Sequence, residues 1–319
     1  MRFLVFADLH DRFTPDTKNF LQNTFAQLHP RPVFLAPGNH DWYGAESLYR
    51  QAEWTPNVHV FTEAHLTPVE LGDGITLWGA GHRAPANTDG FFDGGFRVDR
   101  GGFNVALFHG SERAELPWQG EGKQPHAPFS ASQVRDAGLL HAFCGHFHTP
   151  KDAESHTYPG NPDPLTFGET GNRAAVLAEI SPDGSVTRTR QPVAVSQVHD
   201  RAVDLTGATF SGEVRERVAA EVQDLAGVVR VTLCGEVDPE VDIRLSDLSS
   251  GWDHLSLVSR LGDVTVAYDL EELRQERSVR GQFVRDVEAD VALDDTMRRK
   301  VLTTGLRALA GRKGELEVL

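Results

Sequence analysis

The sequence predicts an α/β protein whose first half is built on a largely parallel sheet. Residues 2–7 and 32–36 are short apolar runs, as expected of strands buried on both faces. Between them, apolar residues recur at helical spacing over residues 16–28, and Pro30 and Pro32 follow. The order strand, helix, strand is typical of a parallel sheet.

Three further apolar runs end in a glycine or polar turn that carries a histidine. They cover residues 74–82, 103–110 and 139–148. Because functional groups of parallel α/β sheets lie beyond the carboxyl ends of the strands, we expect these histidines to meet at one edge.

A second unit is predicted in the C-terminal part. Residues 174–193 form a predicted hairpin with its turn at Pro182, Asp183 and Gly184. A connection over residues 191–205 then leads to a helix near 212–225, a strand at 228–234 and a last helix near 294–309. The predicted domains are therefore residues 1–200 and 201–319.

Bulk composition excludes several classes of protein. A net charge of −15 over 319 residues argues against coating nucleic acid with the whole surface, although a local basic groove stays possible. The two cysteines, Cys144 and Cys234, give no disulfide framework, which favours the cytoplasm. No apolar stretch is long enough for a membrane span, and the N-terminus has no signal pattern, so neither export nor membrane insertion is expected.

A group of metal-binding residue types follows the strand-like runs. Its members are Asp8, His10, Asn39, His40, His109, His146 and His148. Imidazoles, one carboxylate and one amide oxygen suit Mn²⁺, Fe²⁺ or Zn²⁺ rather than Ca²⁺ or Mg²⁺. Two such ions about 4 Å apart would clamp a phosphate, and a neighbouring histidine would protonate the leaving group.

Each short motif also has an ordinary structural interpretation. "GNHD" (38–41) is a plausible turn, and "GHFH" (145–148) is a weak signal by itself. The order of all the motifs, each at a strand end, favours the metal site. His82, His126 and His156 are assigned structural roles, His82 being the closest alternative because "WGAGH" also ends a strand.

The ordered motifs resemble those of the calcineurin-like metallophosphoesterases. That signature runs Asp-x-His, Gly-Asp-x-x-Asp, Gly-Asn-His-Asp/Glu, a lone His and Gly-His-x-His, and the chain matches four of the five. "YPGNPDPLTFGETG" (158–171) and "SVRGQFVRDVEA" (278–289) are similar to segments of the SbcD-like DNA repair exonucleases. The resemblance implies a β-sandwich flanked by helices, with a smaller C-terminal α+β capping domain.

The resemblance also implies a role for each site residue. Asp8, His10 and His148 would bind one metal ion, and Asn39, His109 and His146 the other. His40 would be the catalytic acid, and Asp41 would orient it. The cofactor would be two divalent ions, Mn²⁺ first, with Fe²⁺ or Zn²⁺ as alternatives.

One part of the signature is missing or merged with another. No separate strand carries Gly-Asp-x-x-Asp, and "ADLHD" (7–11) spells both Asp8-x-His10 and Asp8-x-x-Asp11. Three accounts are open: the chain starts after the family's first strand, a deletion fused two motifs, or Asp8 bridges the ions while Asp11 or water fills a gap. Loss of a bridging carboxylate would weaken at least one ion.

The expected function is a metal-dependent phosphodiesterase, acting as a DNA exonuclease or endonuclease subunit in DNA repair. Its expected partners are DNA and an SbcC-like ATPase, with a homodimer as a further option and no membrane. A small-nucleotide phosphodiesterase and a catalytically weak scaffold are the alternatives. A cluster in the last helices is either a basic contact face or ordinary surface charge: Arg280, Arg285, Arg298, Arg299 and Lys300.

Overall fold

The computed structural model describes residues 1–8, 14–86, 89–114 and 125–311. The chain divides into two compact units. The first comprises Met1–Pro164 and Asn172–Val195, and the second comprises Leu165–Gly171 and Ser196–Leu319. The domain boundary at residue 200 stays a prediction.

The first unit contains eleven described strands and three described helices. The strands are β1 (Arg2–Val5), β2 (Val33–Leu35), β3 (Val58–Val60), β4 (Thr67–Gly72), β5 (Ile75–Gly79), β6 (Phe103–His109), β7 (His141–Gly145), β8 (Lys151–Asp152), β9 (His156–Tyr158), β10 (Ala174–Ile180) and β11 (Val186–Pro192). The helices are α1 (Pro15–Gln27), α2 (Leu48–Gln51) and α3 (Ala131–Asp136).

A six-stranded sheet is central to the first unit, and apolar side chains cover both of its faces. Its order is β4-β5-β6-β7-β9-β8, and β5, β6, β7 and β9 are parallel. Val105 and Phe143 point to one face, where they pack with Val176 and Ile180 of β10. Phe108 and Cys144 point to the other face, where Val134 of α3 packs. The two-residue alternation explains why these strands read as continuous apolar runs.

The first strand has a distant partner. It pairs antiparallel with β10, with Val5 opposite Val176, in the three-stranded sheet β1-β10-β11. β2 pairs in parallel with β3 in a separate two-stranded sheet. The expectation that the first two strands share one parallel sheet is therefore wrong for the described pairings, because the local strand–helix–strand order does not determine which partner a strand takes.

The other predicted elements of the first unit are confirmed. α1 follows the predicted helical span, and the Thr14 hydroxyl caps it by accepting a hydrogen bond from the Thr17 N–H at 3.0 Å. β10 and β11 form the predicted antiparallel hairpin. The predicted α/β class is likewise confirmed.

The second unit alternates strands with helices. It contains β12 (Val198–Asp204), α4 (Ser211–Val222), β13 (Gly227–Val237), α5 (Leu245–Ser249), β14 (Leu255–Val266), α6 (Leu270–Gln275), α7 (Val279–Ala289) and α8 (Asp295–Leu309). The three strands are parallel, in the order β12-β13-β14. The segment predicted as a connection thus contains β12, whose mixed polar sequence hid its pairing with β13.

Two apolar cores stabilise this unit. Val218 and Val222 of α4 pack on Val231 and Leu233 of β13, and Leu273 of α6 packs with residues of α7 and α8 in a separate cluster. Across the described ranges, none of the helices has the length and apolar character that crossing a bilayer would require.

Candidate metal centre

Four strand ends carry the central residues of the predicted site. Asp8 follows β1, Asn39 follows β2, His109 ends β6, and His146 comes directly after β7. β6 and β7 are parallel neighbours with His109 opposite Gly145, so the sheet itself brings two of these loops together. The other two loops come from separate sheets, so the predicted convergence on one edge of a single sheet is replaced by convergence from three sheets.

The side chains meet around the His109 ring. Its Nε2 lies 2.8 Å from Asn39 Oδ1 and 3.3 Å from His146 Nδ1. Its Nδ1 lies 3.7 Å from Asp8 Oδ1. The same carboxylate oxygen accepts a hydrogen bond from the His146 backbone N–H at 3.2 Å. Residues separated by up to 138 positions are therefore in contact.

Two glycines allow this close approach. A Cβ at Gly38 would lie 2.7 Å from His109 Nδ1, and a Cβ at Gly145 would lie 2.8 Å from the same atom. The glycines of "GNHD" and "GHFH" therefore leave space for the ring, which explains their place in these motifs.

The backbone is strained at two positions of the site. Asp8 has a φ of 50° and His146 a φ of 117°, although neither is a glycine. Such conformations cost free energy and persist where surrounding contacts enforce them, as at functional sites. The strain supports a functional role for both residues.

Two histidines of the site, His109 and His146, are held neutral. Burial, followed by the nearby His146 and His82, lowers the pKa of His109 well below its ordinary value. Burial and then His126 and His82 lower the pKa of His146 to about 3. Neutral imidazoles offer lone pairs, as metal ligands must.

Two histidines that the sequence analysis assigned to structural roles lie in the same cluster. The buried His82 donates from Nε2 to the His109 carbonyl oxygen at 2.7 Å, and its ring centre is 5.6 Å from that of His109. The ring of the half-buried His126 lies 5.6 Å from that of His146. For His82, the only sequence feature that indicated a place in the site was the strand end before it. For His126, which lies in a loop, the sequence contained no such feature.

The remaining predicted residues have different positions. His40 is exposed, and its charge would disfavour protonation of His109 and His126. The Asp41 carboxylate accepts hydrogen bonds from the Gly38 N–H, at 2.7 Å, and from the Tyr49 hydroxyl. Burial and then the charge of Asp41 raise the pKa of Tyr49, which keeps that hydroxyl a donor.

The other predicted ligand set is described in part. His148 is exposed, and its charge would lower the pKa of His146. His10 and Asp11 lie outside the described residues. The structure therefore does not choose between Asp8-x-His10 and Asp8-x-x-Asp11 as the interpretation of the first motif.

A buried arginine holds the loop that carries His148. Arg173 donates to Asn161 Oδ1 at 2.8 Å and to the His148 carbonyl oxygen. Gly160 has a φ of 77°, and a Cβ there would lie 2.6 Å from that same oxygen. Residues that follow the last motif therefore hold the backbone of the His148 loop in place.

The donor set at His109 fits a borderline divalent ion. Two donors bound to one ion at about 2.1 Å lie about 3.0–3.4 Å apart. The distances from His109 Nε2 to Asn39 Oδ1, 2.8 Å, and to His146 Nδ1, 3.3 Å, are close to this range. Within the described ranges, no three His, Cys, Asp or Glu side chains are grouped to hold a metal ion. The convergent set is instead one amide oxygen and two imidazoles: Asn39, His109 and His146.

This fold and this donor set are consistent with a metalloenzyme that hydrolyses phosphoesters. Residues 2–150 match the family model for calcineurin-like phosphoesterases, a range that contains every predicted site residue. This part of the chain is therefore similar to calcineurin-like phosphoesterase domains, and members of that family typically bind two divalent ions. A comparison with curated proteins gives no match. The family match indicates metal-dependent hydrolysis of phosphoesters.

Proposed function

We propose that the protein is a metal-dependent phosphodiesterase that cleaves DNA, as a nuclease subunit in DNA repair. The observation that carries the proposal is the convergence of Asn39, His109 and His146 inside a calcineurin-like phosphoesterase domain. Neutral imidazoles and an amide oxygen favour Mn²⁺, Fe²⁺ or Zn²⁺, and Mn²⁺ is the proposed ion.

Divalent ions bound at this position would supply Lewis acidity toward a phosphate ester. Asn39, His109 and His146 would hold one ion, and Asp8 with His10 and His148 would hold the other. The strained backbone at Asp8 and His146 keeps these groups in place before substrate arrives.

His40 is proposed to protonate the leaving oxygen. It is exposed, directly follows Asn39, and interacts with the histidines of the centre. Asp41 ties the same turn to the Gly38 N–H and to the Tyr49 hydroxyl. Asp41 thereby orients His40 by fixing the backbone that carries it.

The assignment to a repair nuclease comes from two later segments of the chain. It depends on the resemblance of residues 158–171 and 278–289 to SbcD-like exonucleases, and an SbcC-like ATPase is the proposed partner. Arg285 and Arg298 donate to backbone carbonyl oxygens at the ends of the last helices, which favours structural roles for both. Any basic contact face there is left to Arg280, Arg299 and Lys300.

The deciding experiment compares hydrolysis of bis-p-nitrophenyl phosphate and of DNA, with Mn²⁺ and with chelator. His40→Ala is the test variant, and His65→Ala, which removes another exposed histidine of the first unit, is the matched control. We expect wild type and His65→Ala to cleave both substrates with Mn²⁺, and His40→Ala to lose mainly DNA cleavage, because the alkoxide of DNA needs a proton to leave whereas p-nitrophenolate does not. Equal cleavage by all three would refute the role of His40.

A catalytically weak scaffold is the second candidate function. It is favoured because, in the part of the chain that the structure describes, the convergent set holds fewer than three His, Cys, Asp or Glu ligands. DNA binding with fewer than two bound ions and no hydrolysis would support the scaffold. Hydrolysis of the small diester alone would indicate a small-nucleotide phosphodiesterase.

A further inference from the structure

A group of aromatic and arginine side chains, exposed except for the half-buried Tyr43, is built around the segment that follows His40. It consists of Trp42, Tyr43, Arg50 and Arg83, and is called here the Trp42–Arg83 face. None of the motifs in the sequence analysis includes these residues. They begin two positions after the proposed catalytic acid.

The face is fixed to the metal centre by backbone hydrogen bonds. The Tyr43 N–H donates to the His82 carbonyl oxygen at 2.7 Å, and the His82 N–H donates to the Pro37 carbonyl oxygen at 2.9 Å. His82 in turn contacts His109. Tyr43 also packs against the buried cluster that contains Leu48, so its ring is a rigid base for the face.

Two guanidinium groups lie over the Tyr43 ring. The central carbon is 5.4 Å from the ring centre for Arg83 and 5.8 Å for Arg50. Both arginines are exposed, and neither has a carboxylate within ion-pair distance among the described residues. Arg83 Nη1 donates to the Thr62 carbonyl oxygen at 2.9 Å, which fixes its guanidinium group but does not neutralise its charge. Two cations held on one ring, in a chain of net charge −15, form a local positive site that a phosphate would neutralise.

Trp42, the residue before Tyr43, supplies a second aromatic surface. Trp42 is 36% exposed, high for so large an apolar side chain. A Cβ at Gly44 would lie 2.8 Å from its Nε1, so the indole lies against the Gly44 backbone and has a defined orientation. A fixed indole one residue along the chain from a ring that carries two cations supplies the two elements by which proteins bind single-stranded nucleic acid, an aromatic platform and positive charge.

We propose that the Trp42–Arg83 face binds single-stranded DNA next to the cleaved phosphodiester. Trp42 stacks on a base, while Arg50 and Arg83 contact backbone phosphates. The inference rests on the proposed function, because it names the polymer that the same site would act on. It also explains how a strongly acidic protein binds a polyanion.

The test measures binding of a fluorescein-labelled oligothymidylate by anisotropy, with the full chain in chelator so that cleavage cannot contribute. Trp42→Ala should weaken binding about tenfold, because one stacked base is lost, while Trp42→Phe should largely restore it. Arg50→Gln and Arg83→Gln should each lower the slope of log affinity against log salt by about 0.7, the value for one phosphate contact on a single strand.

Matched controls exist on the same unit. Phe20→Ala removes another exposed aromatic ring, and Arg31→Gln removes another exposed arginine; both should bind like wild type. Equal binding by all variants, or no oligonucleotide binding by wild type, would overturn the proposal. Hydrolysis of bis-p-nitrophenyl phosphate is measured in parallel: its absence in wild type contradicts the proposed function, whereas the binding results decide the face.

Discussion

Replacing Gly145 by alanine tests whether the position of the His109 ring governs metal binding. The added Cβ would lie 2.8 Å from His109 Nδ1, and the ring must withdraw by about 0.6 Å to reach the 3.4 Å of ordinary contact. Metal–ligand bonds tolerate only about 0.2 Å, so His109 can no longer meet Asn39 and His146 at one ion. We expect metal affinity to fall about 10–100-fold, with activity falling in parallel.

Calorimetric titration with Mn²⁺ and hydrolysis of bis-p-nitrophenyl phosphate measure this effect. The matched control is Gly101→Ala, because a Cβ at Gly101 meets nothing within 4 Å. Overpacking should also cost Gly145→Ala about 1–3 kcal/mol of unfolding free energy, so thermal unfolding is recorded for both variants. If Gly145→Ala binds metal and turns over like Gly101→Ala, His109 is not a ligand.

Three further predictions concern other residues. His40→Ala should lower kcat about 10²–10⁴-fold with unchanged Mn²⁺ affinity, because it removes an acid and not a ligand; weaker metal binding in the titration would contradict this. Arg173→Met should lower the unfolding free energy by about 2 kcal/mol and weaken Mn²⁺ binding, because it removes the donor to the buried Asn161 Oδ1 and to the His148 carbonyl oxygen. A variant as stable as wild type in urea would refute the contribution of these hydrogen bonds. Burial and the charge of Arg188 lower the pKa of His141 to about 4 in the folded protein. Between about pH 6.5 and 4 the unfolded state therefore binds more protons than the folded state. The unfolding free energy should accordingly fall by on the order of 3 kcal/mol as the pH drops through that window. His141→Gln should make the fall in urea midpoint shallower there, and an identical pH profile would refute the assignment.

Much of the fold is predictable because its local patterns are strong. The apolar runs at β5, β6 and β7 are buried on both faces of one sheet, and this burial requires the residues that make the runs recognisable. The pairing of β1 with β10 was not predictable, because nothing near residue 5 encodes a partner near residue 176. Long-range pairing is a property of the whole chain.

The candidate site was likewise predictable only in part: residues in short strand-end motifs were predicted, and a loop residue was not. Asn39, His109 and His146 were predicted to meet because each follows a strand in a short motif, and the structure brings them into contact. His126 was missed because it lies in a loop, outside the short motifs that follow the predicted strands. Its proximity to His146 depends on tertiary packing, which no local pattern reports.

The most direct measurement is a crystal structure of the protein soaked in Mn²⁺, with anomalous data recorded to locate the ions. We predict a peak within about 2.1–2.3 Å of Asn39 Oδ1, His109 Nε2 and His146 Nδ1. An ordered site in which those three atoms surround no peak, with Mn²⁺ bound elsewhere or absent, would contradict the account.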